Sequence, residues 1–272
     1  MKHLSSKRIK RRRFLLRLKY LFLFLFICSG LIALYWVIFY SSFFSLKKVK
    51  IVAPENFSLF SEEEVLNEIK QQNKKYLFLP KESLSFVFLS QEKLKENLKK
   101  NHAEIESIEA RLNLQKGELI ISYTVFTPQF NFCFLEKEEC YYIDKGGIIF
   151  KKIEGKDSSL PTIFLKEGPE VILGQKILEK NKVEDFLEII VLLKEKENLL
   201  NFGSFYLDKK DSPDFQLVTS EGMKIFLNFG DNYQEIFLIL KELKEQQFQG
   251  KFNNIDYIDL RYLPKVYYKT FE

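Results

Sequence analysis

Apolar and polar positions along this chain change rhythm repeatedly, and each change marks a different kind of element. From Tyr20 to Leu46 no residue is charged. The densest part, Tyr20–Tyr40, has 21 residues and reaches about 31 Å as a helix, enough to cross a hydrocarbon core of ~30 Å. Tyr20, Tyr35, Trp36 and Tyr40 lie towards its ends, where amphipathic rings favour the membrane interface. The stretch predicts a transmembrane helix. A cleaved signal peptide has a shorter apolar region, ~7–15 residues, followed by small residues, whereas this one ends in aromatics.

Beyond it, Lys47–Ala53 alternates and predicts a strand. Ser61 followed three residues later by Glu64 is a capping box, opening a helix to about Gln72 with Val65, Leu66 and Ile69 on its apolar face. A second helix runs from Ser90 to about Lys100, with Leu94 and Leu98 one turn apart. The intervening KKYLFLPKESLSFVFL, broken at Pro80, reads as a packed connector. Ile108, Ala110, Leu112 and Leu114 then alternate with polar residues, Gln115-Lys116-Gly117 turns the chain, and Leu119, Ile121, Tyr123 and Val125 alternate again. The order is strand, helix, helix, strand, strand.

From about Phe130 strands dominate. Phe130–Phe134 and Glu139–Ile143 form a hairpin, and Asp144-Lys145-Gly146-Gly147 turns into Ile148–Lys152. A helix is expected over Asn181–Leu200, with Val183, Phe186, Leu187, Ile190 and Leu193 at helical spacing. Strands follow at Phe202–Leu207, Asp214–Thr219 and Met223–Asn228, the last two joined at Ser220-Glu221-Gly222. A last helix, Asn232–Gln247, precedes strands at Ile255–Tyr262 and Lys265–Lys269. The fold class is therefore α+β, with a mixed β domain carrying two helices.

Charge adds an orientation to this pattern. The 272 residues carry a formal net charge of +5, unevenly spread. Residues 1–19 hold nine basic groups and no acidic one, which leaves 33 basic against 37 acidic groups from residue 20 onward. The basic cluster abuts the apolar stretch, so it reads as a cytoplasmic tail under the positive-inside rule, not as a nucleic-acid footprint. The later domains are then expected outside the cytoplasm, with a lipid bilayer as the anchor's partner.

Candidate chemistry is sparse. The chain has two histidines: His3 precedes the span, and His102 follows a helix with no nucleophile turn nearby. Cys133 and Cys140 have no neighbouring histidine and do not make a zinc site. In a hairpin with Leu135–Glu138 as its loop they face each other, so the reading is a disulfide worth roughly 2–3 kcal/mol by chain entropy, with two free thiols as the alternative. The Asp144-Lys-Gly-Gly segment reads as turn chemistry, not a ligand loop. No phosphate or dinucleotide motif appears. The expectation is a protein that is not an enzyme, with no metal, cofactor, small-molecule substrate or nucleic acid. Its recognition element is expected in Ile255–Tyr262, read as a strand at a sheet edge, where unpaired backbone groups accept a strand from another chain, with an ordinary interior strand as the alternative that spacing does not reject.

Three segments carry a family resemblance. Phe44-Ser-Leu-Lys-Lys-Val-Lys-Ile-Val is similar to the start of a POTRA domain. Cys140-Tyr-Tyr-Ile-Asp-Lys-Gly-Gly-Ile-Ile-Phe150, followed by Leu160-Pro161, is similar to a "y-x-D-x-x-G-x-x-F … L-P" signature. Tyr257-Ile-Asp-Leu-Arg-Tyr262 is similar to a closing "D-L-R-Y/F" strand. In this order, over nearly the whole chain, they resemble the FtsQ/DivIB family of bacterial cell-division proteins. The chain departs from the family where Val125-Phe126-Thr127-Pro128 stands in place of "E-R-x-P", and Pro264 lacks a backbone donor near the closing strand.

The resemblance implies a basic cytoplasmic tail at 1–19, a transmembrane helix at 20–40, a POTRA domain at 45–128 and an FtsQ-type β domain at 129–272. It implies a non-catalytic bitopic divisome scaffold at the septal inner membrane, linking early cytoplasmic to late septal wall-synthesis proteins. An FtsB–FtsL-like complex is then expected to add a strand at the C-terminal edge. Arg261 and Tyr262 are expected at that contact, with Leu263, Lys265, Val266 and Tyr268 continuing the edge. Competing expectations are a POTRA-bearing export or assembly factor, which calls for tandem units or a β-barrel, and an anchored wall hydrolase, which calls for paired carboxylates in a cleft.

Overall fold

A computed structural model describes residues 3–40, 46–54, 58–74, 89–196, 199–252 and 254–271. Among them are five helices and twelve strands in a mixed α+β arrangement. The expected connector lies within 74–89 and falls almost wholly outside the described residues, as does Phe44.

Helix α1 (His3–Tyr40) is one continuous helix of 38 residues, about 57 Å long. Its Phe14–Val37 segment is long and apolar enough to cross a membrane. None of that segment is packed inside the protein. A helix apolar all round needs an apolar solvent or a protein interior, and the protein supplies no interior here.

The chain divides into two compact units, one formed by Met1–Asn101 with Ser107–Thr124 and the other by His102–Glu106 with Val125–Glu272. In the first, β1 (Lys48–Val52), α2 (Glu62–Lys74), α3 (Gln91–Asn101), β2 (Ile105–Asn113) and β3 (Glu118–Val125) follow in that order. The sheet runs β1-β3-β2, with β1 parallel to β3. Ser61 accepts the Glu64 N–H and Ser90 accepts the Lys93 N–H, so both helices open on a serine cap. The face so fixed buries Val65, Ile69, Leu94 and Leu98 with Val49, Leu119 and Ile121 of the sheet. Tyr123 closes this core by packing its ring 5.0 Å from Phe60 and accepting the Leu59 N–H.

The second unit is built on one nine-stranded sheet: β4 (Phe130–Phe134), β5 (Glu139–Ile143), β6 (Ile149–Ile153), β7 (Thr162–Leu165), β8 (Phe202–Leu207), β9 (Asp214–Thr219), β10 (Lys224–Asn228), β11 (Ile255–Asp259) and β12 (Tyr267–Thr270). Their spatial order is β12-β11-β10-β9-β8-β7-β4-β5-β6. Helix α4 (Lys180–Glu195) connects the parallel neighbours β7 and β8, and α5 (Tyr233–Gln246) connects the parallel neighbours β10 and β11. Both crossovers step the same way across the sheet from strands pointing the same way, so a common hand puts both helices on one face.

Register lines make the two faces explicit. One line runs Ile258–Ile225–Leu217–Phe205–Ile163–Phe132 and joins α4 and α5 in a single buried cluster. At its centre the Phe186 ring lies 4.4 Å from Phe205 and 5.0 Å from Phe215. The alternate line runs Tyr267–Asp259–Phe226–Gln216–Tyr206–Phe164–Cys133–Cys140–Ile153 on the opposite face. Cys133 and Cys140 are directly opposed there and joined by a disulfide.

Two loops are set by single residues. Asn131, wholly buried, donates to Asp157 O at 2.8 Å and Leu160 O at 3.0 Å and accepts the Asp157 N–H. It thereby pins the loop between β6 and β7. The Asp144-Lys-Gly-Gly segment is a turn in which Asp144 accepts the Ile148 N–H at 2.7 Å. Gly147 has φ +80°, and a Cβ there would sit 2.2 Å from Leu178 O, so only glycine fits.

Strand β7 is an element the sequence pattern does not announce. Its four residues are all buried, so no alternation marks it. Helix α4 ends at Glu195, not Leu200, because Lys196 leaves the helical region and Leu199 turns into the core.

Candidate interaction edge

The nine-stranded sheet has two outer strands, β6 and β12, and they are finished differently. The 174–176 segment lies against the start of β6: Ile149 N–H donates to Gln175 O, Gly174 N–H donates to Ile149 O, and Ile148 bridges Lys176. Two exposed lysines, Lys151 and Lys152, occupy the rest of it. A covering loop and lysines are both ways of blocking unwanted pairing. At β12 all four residues are exposed, and no described strand pairs with its outer side.

This outcome corrects the expected edge. Ile255–Tyr262 is not the outermost strand: β11 stops at Asp259 and lies between β10 and β12. Leu260 N–H still bonds Phe226 O of β10, and the chain leaves the sheet beyond it, where Arg261 folds back along the strand it has just left. Residues 261–264 form a turn, with Lys265 N–H donating to Tyr262 O across a cis Leu263–Pro264 peptide. Pro264 therefore precedes the edge strand and takes no place in its ladder. Of the residues expected at the contact, Arg261, Tyr262 and Leu263 belong to this turn, Lys265 and Val266 follow it, and only Tyr268 lies in β12.

Arg261 is held within its own chain. Its Nε and one terminal nitrogen donate to the two Asp259 oxygens at 2.9 and 2.7 Å, and the other terminal nitrogen donates to Asp214. The guanidinium also lies over the Phe226 ring, 4.9 Å from its centroid. Hydrogen bonding from Arg261 holds the Asp259 carboxyl below the usual carboxylate range despite partial burial. The same bonds raise the Arg261 pKa. This assembly positions the turn and leaves the exposed surface there to other side chains.

Those side chains are aromatic. Tyr262 is 59% exposed, Tyr267 51%, Tyr268 49% and Phe271 56%. Tyr262 and Tyr267 pair edge-on at 6.2 Å on one side of the strand, and Tyr268 packs edge-on to Phe248 at 5.1 Å. Leu263 and Val266 are half-buried against the core and hold the strand in place. Tyr267 and Phe271 extend the set drawn from the sequence, and no hydrophobic alternation in YYKT announces them. Lys269, exposed like Lys151 and Lys152 of β6, stands 3.8 Å from Asp256, as those two stand 3.7 Å from Glu104 and 2.5 Å from Glu139.

Backbone parity can be read here. Phe271 N–H donates to Asn254 O at 2.9 Å. With a two-residue repeat, Lys269 and Tyr267 then turn their amides toward β11, and Tyr268 and Thr270 turn theirs outward. Among the described residues no group of three or more His, Cys, Asp or Glu side chains is arranged to hold a metal ion. No protein-family model and no curated protein matches this chain.

Proposed function

We propose that this chain is a non-catalytic, single-pass membrane scaffold of the FtsQ/DivIB kind, which recruits an FtsB–FtsL-like partner by strand addition to β12. The observation that carries the reading is the contrast between the two sheet edges: the start of β6 is covered by the 174–176 segment, whereas β12 is open and lined by tyrosines. An open edge supplies backbone affinity, and flanking aromatic rings supply anchors for the partner's side chains.

Three further features support it. Helix α1 is long and apolar enough for an anchor, and the nine basic groups ahead of the charge-free stretch favour a cytoplasmic N-terminus. The β-α-α-β-β order of the first unit is the order expected of a POTRA domain. The Asp259–Arg261 clamp gives the "D-L-R" signature a physical role in setting the turn that leads into the edge.

The test joins binding to localisation. Purified full-length chain should bind the FtsB–FtsL pair, and Tyr262→Ala with Tyr268→Ala should weaken that binding at least about tenfold, as expected for loss of aromatic hot spots. A fluorescent fusion should gather at midcell during division. A diffuse membrane signal throughout division, or unchanged binding by the double variant, would count against the reading.

A further inference from the structure

We propose that the basic segment ahead of the span binds anionic phospholipid headgroups and gathers them around the anchor. The inference rests on the membrane-anchored part of the reading above and goes beyond it, because topology needs only an excess of positive charge, not a lipid site.

The carrying observation is continuity. Helix α1 does not begin where the apolar stretch begins; the backbone is helical from His3 through Tyr40. With the charge-free part starting at Tyr20, residues 3–19 add about 25 Å of helix beyond the hydrocarbon core. Along that helix Lys19 and Arg17 fall within about 5 Å of the core boundary. Positions 13, 12, 11 and 10 (Arg, Arg, Arg, Lys) follow at about 10–15 Å. The headgroup layer is roughly 5–8 Å deep and the screening length beyond it is about 8 Å, so all six backbone positions lie where an anionic leaflet is felt. Lys7 and Arg8 lie farther out.

Two further features select lipid as the partner. Residues 1–19 contain no acidic group, so these cations have no counter-charge within the segment and repel one another along the helix. Positions 10 to 13 step round the axis by about 100° each, which makes a collar rather than a stripe. A stripe suits a groove in a macromolecule; a collar suits a helix surrounded by lipids on all sides. Four of the six groups are arginines, whose forked donors match phosphate oxygens.

The experiment uses the full-length chain, with a donor dye at its N-terminus, in vesicles of phosphatidylcholine containing about a quarter phosphatidylglycerol. Protease protection first establishes insertion. Energy transfer to headgroup-labelled phosphatidylglycerol is then compared with transfer to equally labelled phosphatidylcholine. The expected result is enrichment of the anionic lipid that falls with added salt. Replacing Lys10, Arg11, Arg12 and Arg13 together by Gln should lower it at least about tenfold, while replacing the three arginines by Lys should keep most of it. An inserted protein with equal, salt-independent transfer to both lipids overturns the collar and leaves the anchor standing. Failure to insert overturns both. Loss of the phosphatidylglycerol signal to stoichiometric duplex DNA would also overturn it, because the segment would then prefer a nucleic acid.

Discussion

The backbone parity of β12 leads to a sharp test of strand addition. Because Phe271 N–H is spent on Asn254, the amide of Lys269 pairs inward with β11 opposite Tyr257, and the amide of Thr270 points outward. Proline at Lys269 deletes a donor inside the ladder and leaves its acceptor without a partner, a loss of about 1–3 kcal/mol in stability. Proline at Thr270 removes only a solvent-facing donor, so stability should change by less than about 1 kcal/mol. Partner affinity behaves the opposite way. A strand arriving at the outer side of β12 loses one hydrogen bond, about 0.5–1.5 kcal/mol, and meets the proline ring. The fall should be at least about tenfold. Thermal unfolding of the full-length chain in detergent and titration with the FtsB–FtsL pair measure the two quantities separately. Thr270→Pro should lose binding at an unchanged unfolding midpoint, and Lys269→Pro should lower the midpoint. If Thr270→Pro unfolds the protein and Lys269→Pro does not, the parity is wrong. If neither alters binding, the outer side of β12 is not where the partner sits.

Two further outcomes follow from buried polar groups. Asn131→Ala strands the Asp157 N–H and the carbonyls of Asp157 and Leu160; it should destabilise the second unit by about 2–4 kcal/mol in urea unfolding, with faster proteolysis between residues 154 and 160. The Asp259 carboxyl, lowered chiefly by its bonds from Arg261, contributes stability that is present above the unfolded carboxylate pKa of about 3.9 and is lost as pH falls through the lower folded value. The unfolding midpoint should therefore drop steeply below about pH 4 in the parent chain, and less so in Asp259→Asn, measured against pH by circular dichroism.

What the sequence makes legible depends on whether an element carries its own period. Both capped helices of the first unit are readable because Ser61 and Ser90 mark their starts and leucine or isoleucine spacing marks one face. The opposition of Cys133 and Cys140 is readable because a hairpin's register follows from its loop. Strand β7 is not readable: it is four residues long, buried on both faces, and defined only by parallel pairing with β4 and β8, whose partner residues lie 31 and 42 positions away. The edge is misread for a related reason. β11 and β12 are both short strands of mixed character, and nothing in either says which is outermost. Which one is depends on the turn at 261–264, and that turn depends on Asp214 reaching Arg261 from 47 positions earlier.

The Arg261 cluster also bears on why an open edge is tolerated. An unprotected strand edge is an aggregation hazard, and β6 shows that this sheet has the means to blunt one. At β12 the covering segment is withheld: no described strand pairs with its outer side, the proline stands in the turn ahead of the strand, and tyrosines flank it. What the fold supplies instead is rigidity. Asp259, Asp214 and Phe226 fix Arg261, which fixes the turn, and Leu263 and Val266 tie the strand to the core. A rigid edge loses little conformational entropy when a partner strand arrives, so its backbone donors count nearly in full toward affinity. On the proposed reading, the membrane anchor completes the arrangement, since it confines the edge and a membrane-bound partner to the same thin layer and raises the concentration at which they meet.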